Sequence, residues 1–456
     1  VIPPTLKVHE QPLPSPVALW MGVRNNLSTW PRGAFEAPVW RRRFFGSDIL
    51  VVSEPQGVRH VLNEAADRYR RPALAVRALR ALGGQGLFLA EGADWRRQRK
   101  MLSPVFTPGA IALLVPHFVA AAEHLLRQFG GSDNFGRVNL AKAFQDTALE
   151  AVLRALFSLP EAEQRARLGS QVRSYFEGPG KPGVLDVLAR NEGDFPFFLR
   201  ARRKFAAQWS ASVGELVATR RAQAGTAQSR DLLDLLLAAR DAETGESLDD
   251  SEIRDQCSTL LVAGFETTAR TLFWTSTLLA LDPAEQERIR VELAPFPPER
   301  LTCNDDLAHW PRLRLALLES MRLYPPAPHM LREATQEDSI CGERIEGGMQ
   351  VWISPWVIHR HRRYWDRPEQ FRPDRFAGKT SPGKNAPWTA MEAYLPFGSG
   401  PRICIGAAFA FTEAQIVLAH LLTRYRVALS DAKPVLPVGA VTIAPSYEPR
   451  FTLLPV

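Results

Sequence analysis

A mainly α-helical fold carrying small β-sheets is what the sequence predicts, and three observations predict it. The stretch from Asp249-Asp-Ser251 to Asp282-Pro283 reads as one helix of about 32 residues, roughly 48 Å long at 1.5 Å per residue, with capping residues before it and proline after it. Residues 105 to 240 form a succession of amphipathic helical patterns, and IGAAFAFTEAQIVLAHLLTRY, from Ile405, is rich in helix formers with one apolar face. The β signal is short by contrast, its clearest run being Asp48 to Val52. With 456 residues, 45% hydrophobic and 23% charged, the chain has globular composition and enough apolar material for a large core.

Taken in order, residues 1 to 40 are rich in Pro and Trp and read as an ordered but irregular opening segment. The run FFGSDILVVSEPQGVRHVLNEA gives a strand, a turn at Ser53-Glu-Pro55 and a helix. Between Tyr69 and Gly92 polar, glycine-bearing and apolar pieces alternate, the texture of a flexible loop over a site. A helix beginning near Asp94 places Trp95 and Arg99 at i and i+4 on one face. A Gly/Pro/Phe-rich break between Lys181 and Phe198 suits a mobile lid. In PRLRLALLESMRLYPP, Glu319 and Arg322 stand at i and i+3 on a helix that Pro325-Pro326 ends. His329 caps a following strand or enters a pocket, the cap being favoured. In His359-Arg-His361-Arg-Arg the flanking arginines repel a metal cation, so the cluster reads as a polar surface loop.

Composition narrows the function classes. The net charge of +7 and a pI near 9.4 raise nucleic acid as a partner. The basic residues lie instead in separated clusters, Arg41–Arg43, Arg96–Lys100, Arg202–Lys204 and Arg360–Arg363, without the interleaved aromatics of a single-strand reader. An acidic protein partner fits them better than nucleic acid. Cysteines 257, 303, 341 and 404 show no close pairing, which excludes a designed disulfide framework or an iron–sulfur run and fits a reducing cytoplasm. No stretch of about 20 apolar residues stands out. The most apolar run, Cys257 to Leu281, carries Glu266 and Arg270 at its centre, so no membrane span is expected. The chain begins at Val1 rather than methionine, which leaves a preceding anchor or tag open.

The chemistry converges on Phe397-Gly-Ser-Gly-Pro-Arg-Ile-Cys404-Ile-Gly406, a glycine-rich loop delivering one cysteine to a helix start. The amides of Ile405 and Gly406 lie where partial positive charge favours an anion, and a metal ionises a thiol outright, so Cys404 is expected to be charged. Gly398 and Gly400 permit φ > 0, Phe397 covers the sulfur and Arg402 puts a fixed charge at the rim. In the long helix, Ala263-Gly264-Phe265-Glu266-Thr267-Thr268 places a glycine that costs about 1 kcal/mol relative to alanine beside an ionisable glutamate in apolar surroundings. Read alone, that segment is a buried Glu paired with a neighbouring Arg. Threonine there can also bond back to the carbonyl of residue 263 and bend the helix.

The cysteine loop resembles the haem-binding loop of the cytochrome P450 family, with Phe397, Gly398, Gly400, Arg402, Cys404 and Gly406 at the expected positions, and the resemblance covers nearly the whole chain. It implies a single large haem domain over residues 1 to 456, with a β-rich lobe beside the helices and no fused reductase. The implied cofactor is haem b (iron protoporphyrin IX), with Cys404 as iron ligand and Ile405 and Ala410 in the same site. Trp95, Arg99, Arg332 and Arg402 fall at positions that meet the haem propionates in the family. Ala263 and Gly264 would line the oxygen site, and Glu266 and Thr267 would be the catalytic pair delivering protons. Glu319 and Arg322, with Arg375 of Phe371-Arg-Pro-Asp-Arg-Phe376, match a structural triad that positions the cysteine loop. The implied substrate pocket includes Leu261, Phe265, Ala327, His329 and Met330, with residues 70 to 92, 175 to 200 and Ile443 to Tyr447 around it.

The function so implied is that of a haem-thiolate monooxygenase of soluble bacterial type. It would insert one atom of dioxygen into a C–H bond of a hydrophobic small molecule. Electrons would come from a ferredoxin or flavodoxin-type donor with its NAD(P)H reductase. Two alternatives share the fold: a peroxide-driven peroxygenase, against which the Glu266–Thr267 pair argues, and a non-catalytic haem sensor or binder.

Overall fold

The structure is a computed structural model, and it describes every residue except 78, 131–136, 160–161, 182, 190, 223–229, 242 and 379–391. Parts of the expected loop and lid, residues 78, 182 and 190, therefore lie outside the described residues. The opening segment is more regular than its prolines suggest. Pro14 precedes, and Pro16 sits within the first turn of, helix α1 (Ser15–Arg24), where a missing N–H costs nothing. The Asn25 side chain then accepts from the Leu27 amide to start a 3-10 turn.

Strands β1 (Val39–Phe44) and β2 (Ser47–Val52) form a hairpin whose two connecting residues, Phe45 and Gly46, both have positive φ, 47° and 82°. They join β3 (Tyr69–Arg70), β4 (Met330–Ala334) and β5 (Gln350–Ile353) in one sheet of order β1-β2-β5-β4-β3. Only the β2–β5 pair is parallel. One cross-strand row runs Arg42, Ile49, Gln350, Glu333, Arg70.

Around the sheet lie α2 (Gly92–Leu102), α3 (Pro108–Gly130), α4 (Leu140–Phe157), α5 (Val184–Leu188), α6 (Arg200–Ala222), α7 (Asp250–Leu281), α8 (Pro311–Leu323) and α9 (Ala407–Arg424). Helix α7 has the predicted 32 residues. Its start is closed by a reciprocal cap: the Glu252 amide donates to Asp249 Oδ1 at 2.8 Å, and the Asp249 amide to Glu252 Oε2 at 3.0 Å. A Cβ on Gly264 would come within 3.0 Å of Val152 Cγ2, so the glycine there lets α7 and α4 approach. The missing side chain is thus explained by helix packing.

Helix α3 corrects the expectation about apolar runs. It is long and apolar enough, by length and composition, to cross a membrane. Here it packs on α4 and α9 through Ile111, Leu114, Phe118 and Leu125, with Phe118 meeting the Phe409 ring edge-on at 4.7 Å. The cluster from His359 to Arg363 also differs from the expected surface loop. His359 and His361 are fully buried, and Arg360 lies 3.5 Å over the Trp356 ring. Arg202 is likewise buried, bound to Asp186 by two bonds of 2.7 and 2.8 Å. Two of the four basic clusters are thus partly interior, because aromatic faces and a carboxylate take up their charge.

Candidate active site

The cysteine loop folds back on itself before α9 begins. Gly398 and Gly400 take φ of 78° and 72°, the Ile403 amide donates to Gly400 O at 3.0 Å, and the Cys404 amide to Phe397 O at 2.9 Å. Gly400 has no alternative, since a Cβ would sit 2.0 Å from the Leu62 carbonyl oxygen. Cys404 and the loop residues Phe397, Gly398, Arg402, Ile405 and Gly406 all line a cavity of about 1410 Å³, together with Ala410 one turn into α9. The expectation of a charged sulfur needs correcting for the protein alone. Desolvation by the surrounding protein pushes the Cys404 thiol up, although the residue is exposed to the cavity, and the Gly406 amide and the Arg99 guanidinium pull it only partly back.

Four guanidiniums, of Arg71, Arg99, Arg332 and Arg402, line the cavity, and two of them share one carboxylate. Arg71 bonds Glu91 at 2.8 Å, and Arg402 also reaches Glu91 while lying 4.4 Å over the Trp95 ring. Arg99 donates to Ile403 O at 3.0 Å, and Arg332 to Leu331 O at 2.9 Å. Burial and mutual repulsion with Arg71 bring Arg332 and Arg402 down to about 10, and burial lowers Arg99 and Arg71 as well. Such a cluster is short of negative charge and suits a dianionic group. Arg71 was not foreseen: in the sequence it is one more arginine beside Arg70, and only the fold shows that it turns inward while Arg70 pairs with Glu333.

Across the cavity, Ala263, Gly264, Glu266 and Thr267 of α7 line the wall. The Thr267 hydroxyl donates to Ala263 O at 2.7 Å, the back-bond its residue type allows. Glu266 is held by Arg270 at 2.6 Å, with Gln145 Nε2 at 3.4 Å and Thr442 Oγ at 3.3 Å. For the carboxylate, therefore, the pairing with a neighbouring arginine is the arrangement found.

Of the expected pocket residues, Ala327, His329 and Met330 line the cavity. Leu261 and Phe265 do not: they point into the core, Phe265 against Phe176 at 5.8 Å, because at 100° per residue they lie on the opposite face from Ala263 and Thr267. His329 stands in the cavity wall, and its ring bonds two side chains, Ser354 Oγ at 3.0 Å and Asn26 Oδ1 at 3.1 Å, rather than the backbone of a strand end, with burial lowering it to about 3. At the tail, Val438, Ala440, Val441 and Thr442 line the cavity, and of the expected Ile443 to Tyr447, Ala444 does.

Behind the loop, Glu319 and Arg322 are fully buried and joined by bonds of 2.7 and 2.8 Å, and Arg375 Nε reaches Glu319 Oε1 at 3.3 Å. Arg322 also donates to the carbonyls of His359, Pro368 and Gln370, at 2.7, 2.8 and 3.0 Å. These bonds satisfy a pair that burial would otherwise make costly. His359, missed in the sequence, ties this group to the loop: its ring bonds Arg322 O at 3.1 Å and the Leu395 amide at 2.8 Å.

The sequence profile of the cytochrome P450 family matches residues 19–448. The chain belongs to the cytochrome P450 family. Relatives within it include a cytokinin hydroxylase of Arabidopsis thaliana, 29% identical over 82% of this chain and 73% of its own length. Human cytochrome P450 4F12 is 28% identical over 84% and 76%. A Mycobacterium tuberculosis protein named as cytochrome P450 137 is 29% identical over 85% and 76%. The fold is that of the cytochrome P450DA heme domain, with a TM-score of 0.77 at 24% identity, covering 92% of this chain and 90% of that one.

As a cytochrome P450, the protein is a haem monooxygenase, an oxidoreductase that uses dioxygen, a redox partner and hydrophobic substrates. The residues present fit the cofactor. A lone thiol opens onto a large cavity, and basic side chains with too few carboxylates stand where the acid groups of a porphyrin would be received.

Proposed function

We propose that this cytochrome P450 hydroxylates a C–H bond of a hydrophobic small molecule, with electrons from a separate ferredoxin or flavodoxin-type donor and its NAD(P)H reductase. We further propose that it is of bacterial type and works in a reducing cytoplasm, to which its four free cysteines are suited. One observation carries the reading: Cys404 and Ala263, Gly264, Glu266 and Thr267 of α7 line the same cavity, whose rim holds Arg71, Arg99, Arg332 and Arg402.

In this reading Cys404 is the iron ligand and the four arginines, with Trp95, hold the propionates. The haem supplies the chemistry that activates dioxygen and transfers one oxygen atom. The chain's own part is to orient substrate, exclude water and move protons. The Thr267 hydroxyl, anchored on Ala263 O, offers its lone pairs to the cavity, and Glu266 stands one residue away as proton source once it exchanges Arg270 for a cavity partner. Glu319, Arg322 and Arg375 hold the coil that precedes the cysteine loop.

The test is the haem-loaded protein, reduced and exposed to carbon monoxide. Wild type should show the red-shifted Soret band of sulfur ligation, and Cys404→Ser should lose it; a wild type without that band removes the reading. A second reading, a peroxide-driven peroxygenase, is favoured by one feature, the engagement of Glu266 by Arg270. Turnover with hydrogen peroxide alone that equals turnover with NADPH, reductase and donor would select it.

A further inference from the structure

The sheet face formed by the row Arg42, Ile49, Gln350, Glu333 and the neighbouring row Trp40, Val51, Trp352, Leu331 lines the cavity and is mostly apolar. It carries one carboxylate, Glu333, and Arg70 occupies that with bonds of 2.5 and 2.9 Å. Arg42 is left at the far edge of the same row. Along β1 the outward residues behave differently: Arg41 pairs with Asp48 at 3.1 Å and with Glu343 at 3.0 Å. Arg42 has no carboxylate within ion-pair distance among the described residues, and its one hydrogen bond is a long 3.4 Å contact to Leu13 O. Its guanidinium lies 5.5 Å over the Phe44 ring, and burial lowers its pKa. A half-buried cation in an apolar wall with no counter-ion is an electrostatic cost that an anionic ligand would remove.

The distance is suitable too. The cysteine loop meets this sheet at the start of β4, where a Cβ on Gly398 would fall 3.4 Å from the sulfur of Met330; Met330 points to the opposite face, and its neighbour Leu331 belongs to the face that carries Arg42. From β4 to β1 is three strand spacings, about 14 Å at ~4.8 Å each. Between them the wall offers Trp40, Trp352 and Trp30, whose rings lie 6.3 to 6.5 Å apart.

Resting on the monooxygenase reading above, we propose that Arg42 receives the carboxylate of an amphipathic substrate. The apolar body of that substrate lies along the tryptophan face, and its far end reaches the Cys404 side of the cavity.

The probes are dodecanoic acid, long enough to cross that width, and its methyl ester. Each is titrated into the haem-loaded protein while the Soret band is followed. The acid should bind at least about tenfold more tightly than the ester, as charge-assisted bonds warrant. Arg42→Gln should erase the difference by weakening the acid alone, Arg42→Lys should keep part of it, and Arg41→Gln on the outer face should change neither ligand. Unchanged ester binding shows that Arg42→Gln remains folded. Equal affinities in wild type, a preference that survives Arg42→Gln, or binding of neither probe would each overturn the proposal. All three leave the carbon monoxide test untouched, and a failure of that test would in turn leave the acid-to-ester comparison measurable.

Discussion

The imidazole of His359 is fixed in one tautomer by its two neighbours. Nδ1 donates to the Arg322 carbonyl at 3.1 Å, and Nε2 is left to accept from the Leu395 amide at 2.8 Å. A second proton would set one N–H against another, and burial already lowers the group from 6.5 to about 3. A depressed histidine adds stability that is complete above its ordinary pKa and is lost as pH falls below it. Between pH 6.5 and 5 the loss is about 2 kcal/mol for a fully buried ring. Glu413 works in the opposite direction, since its unpartnered buried carboxyl is raised well above its usual range and favours the fold at low pH. The informative quantity is therefore a difference: the melting temperature of His359→Gln should fall less steeply from pH 7 to 5 than that of wild type. Equal slopes would remove His359 as a titrating group. At Thr267, replacement by alanine should leave ligand binding intact and cut product formed per NADPH consumed about tenfold, less than the ~10²–10⁴ of a direct acid or base, because the hydroxyl, its own proton on Ala263 O, only positions the proton path. Assayed hydrogen peroxide should rise in parallel. Residue identity was legible at Cys404, where a ten-residue loop determines its own shape. It was not at His359 or Arg71, whose partners, Arg322 and Leu395 for the first and Glu91 for the second, lie on other elements and meet them only in the fold.

The short helix α5 is anchored by polar bonds from two other segments. Asp186 accepts from Arg202 of α6 at 2.7 and 2.8 Å and from Arg77 at 3.2 Å, while Arg77 also reaches the carbonyls of Asn191, Glu192 and Asp194. Arg80 adds two bonds of 2.8 Å to Glu192. The loop before α2 and the segment over the cavity are thus joined by charge rather than by a packed core. Asp186→Asn should cost about 3 kcal/mol of stability, since it strands two buried guanidiniums. It should also speed both entry and exit of ligands in stopped-flow mixing; unaltered rates would mean the two segments do not open together. The expected loop and lid were legible as composition, but their mutual latch was not, because Arg77 and Asp186 are separated by more than a hundred residues. Helix α7 shows the same division: its length and caps follow from local pattern, whereas its rotation, which sends Leu261 and Phe265 into the core, is set by what α4 and α9 leave room for.

For the molecule as a whole, the charge of +7 is less available than the sequence suggests. Arg97 is bound to Glu252 and Lys100 to Glu243 at 2.7 Å, while Arg96 beside Arg97 is exposed. If an acidic electron donor docks on this face, Arg96→Glu should slow its reduction of the haem about fivefold at low ionic strength and less than about twofold in ~0.5 M salt. A salt-independent effect would place the donor elsewhere. The helical architecture and the order of the cysteine loop, the Glu319–Arg322 pair and Arg375 could be read from the chain because each is local or follows from the family pattern. Which arginines are solvent-facing could not, since that depends on carboxylates supplied by distant segments. The contact between Gly400 and the Leu62 carbonyl carries this furthest. It makes the amino-terminal segment a stop for the cysteine loop, so any side chain introduced at residue 400 would have to push aside either that backbone or the loop that carries Cys404.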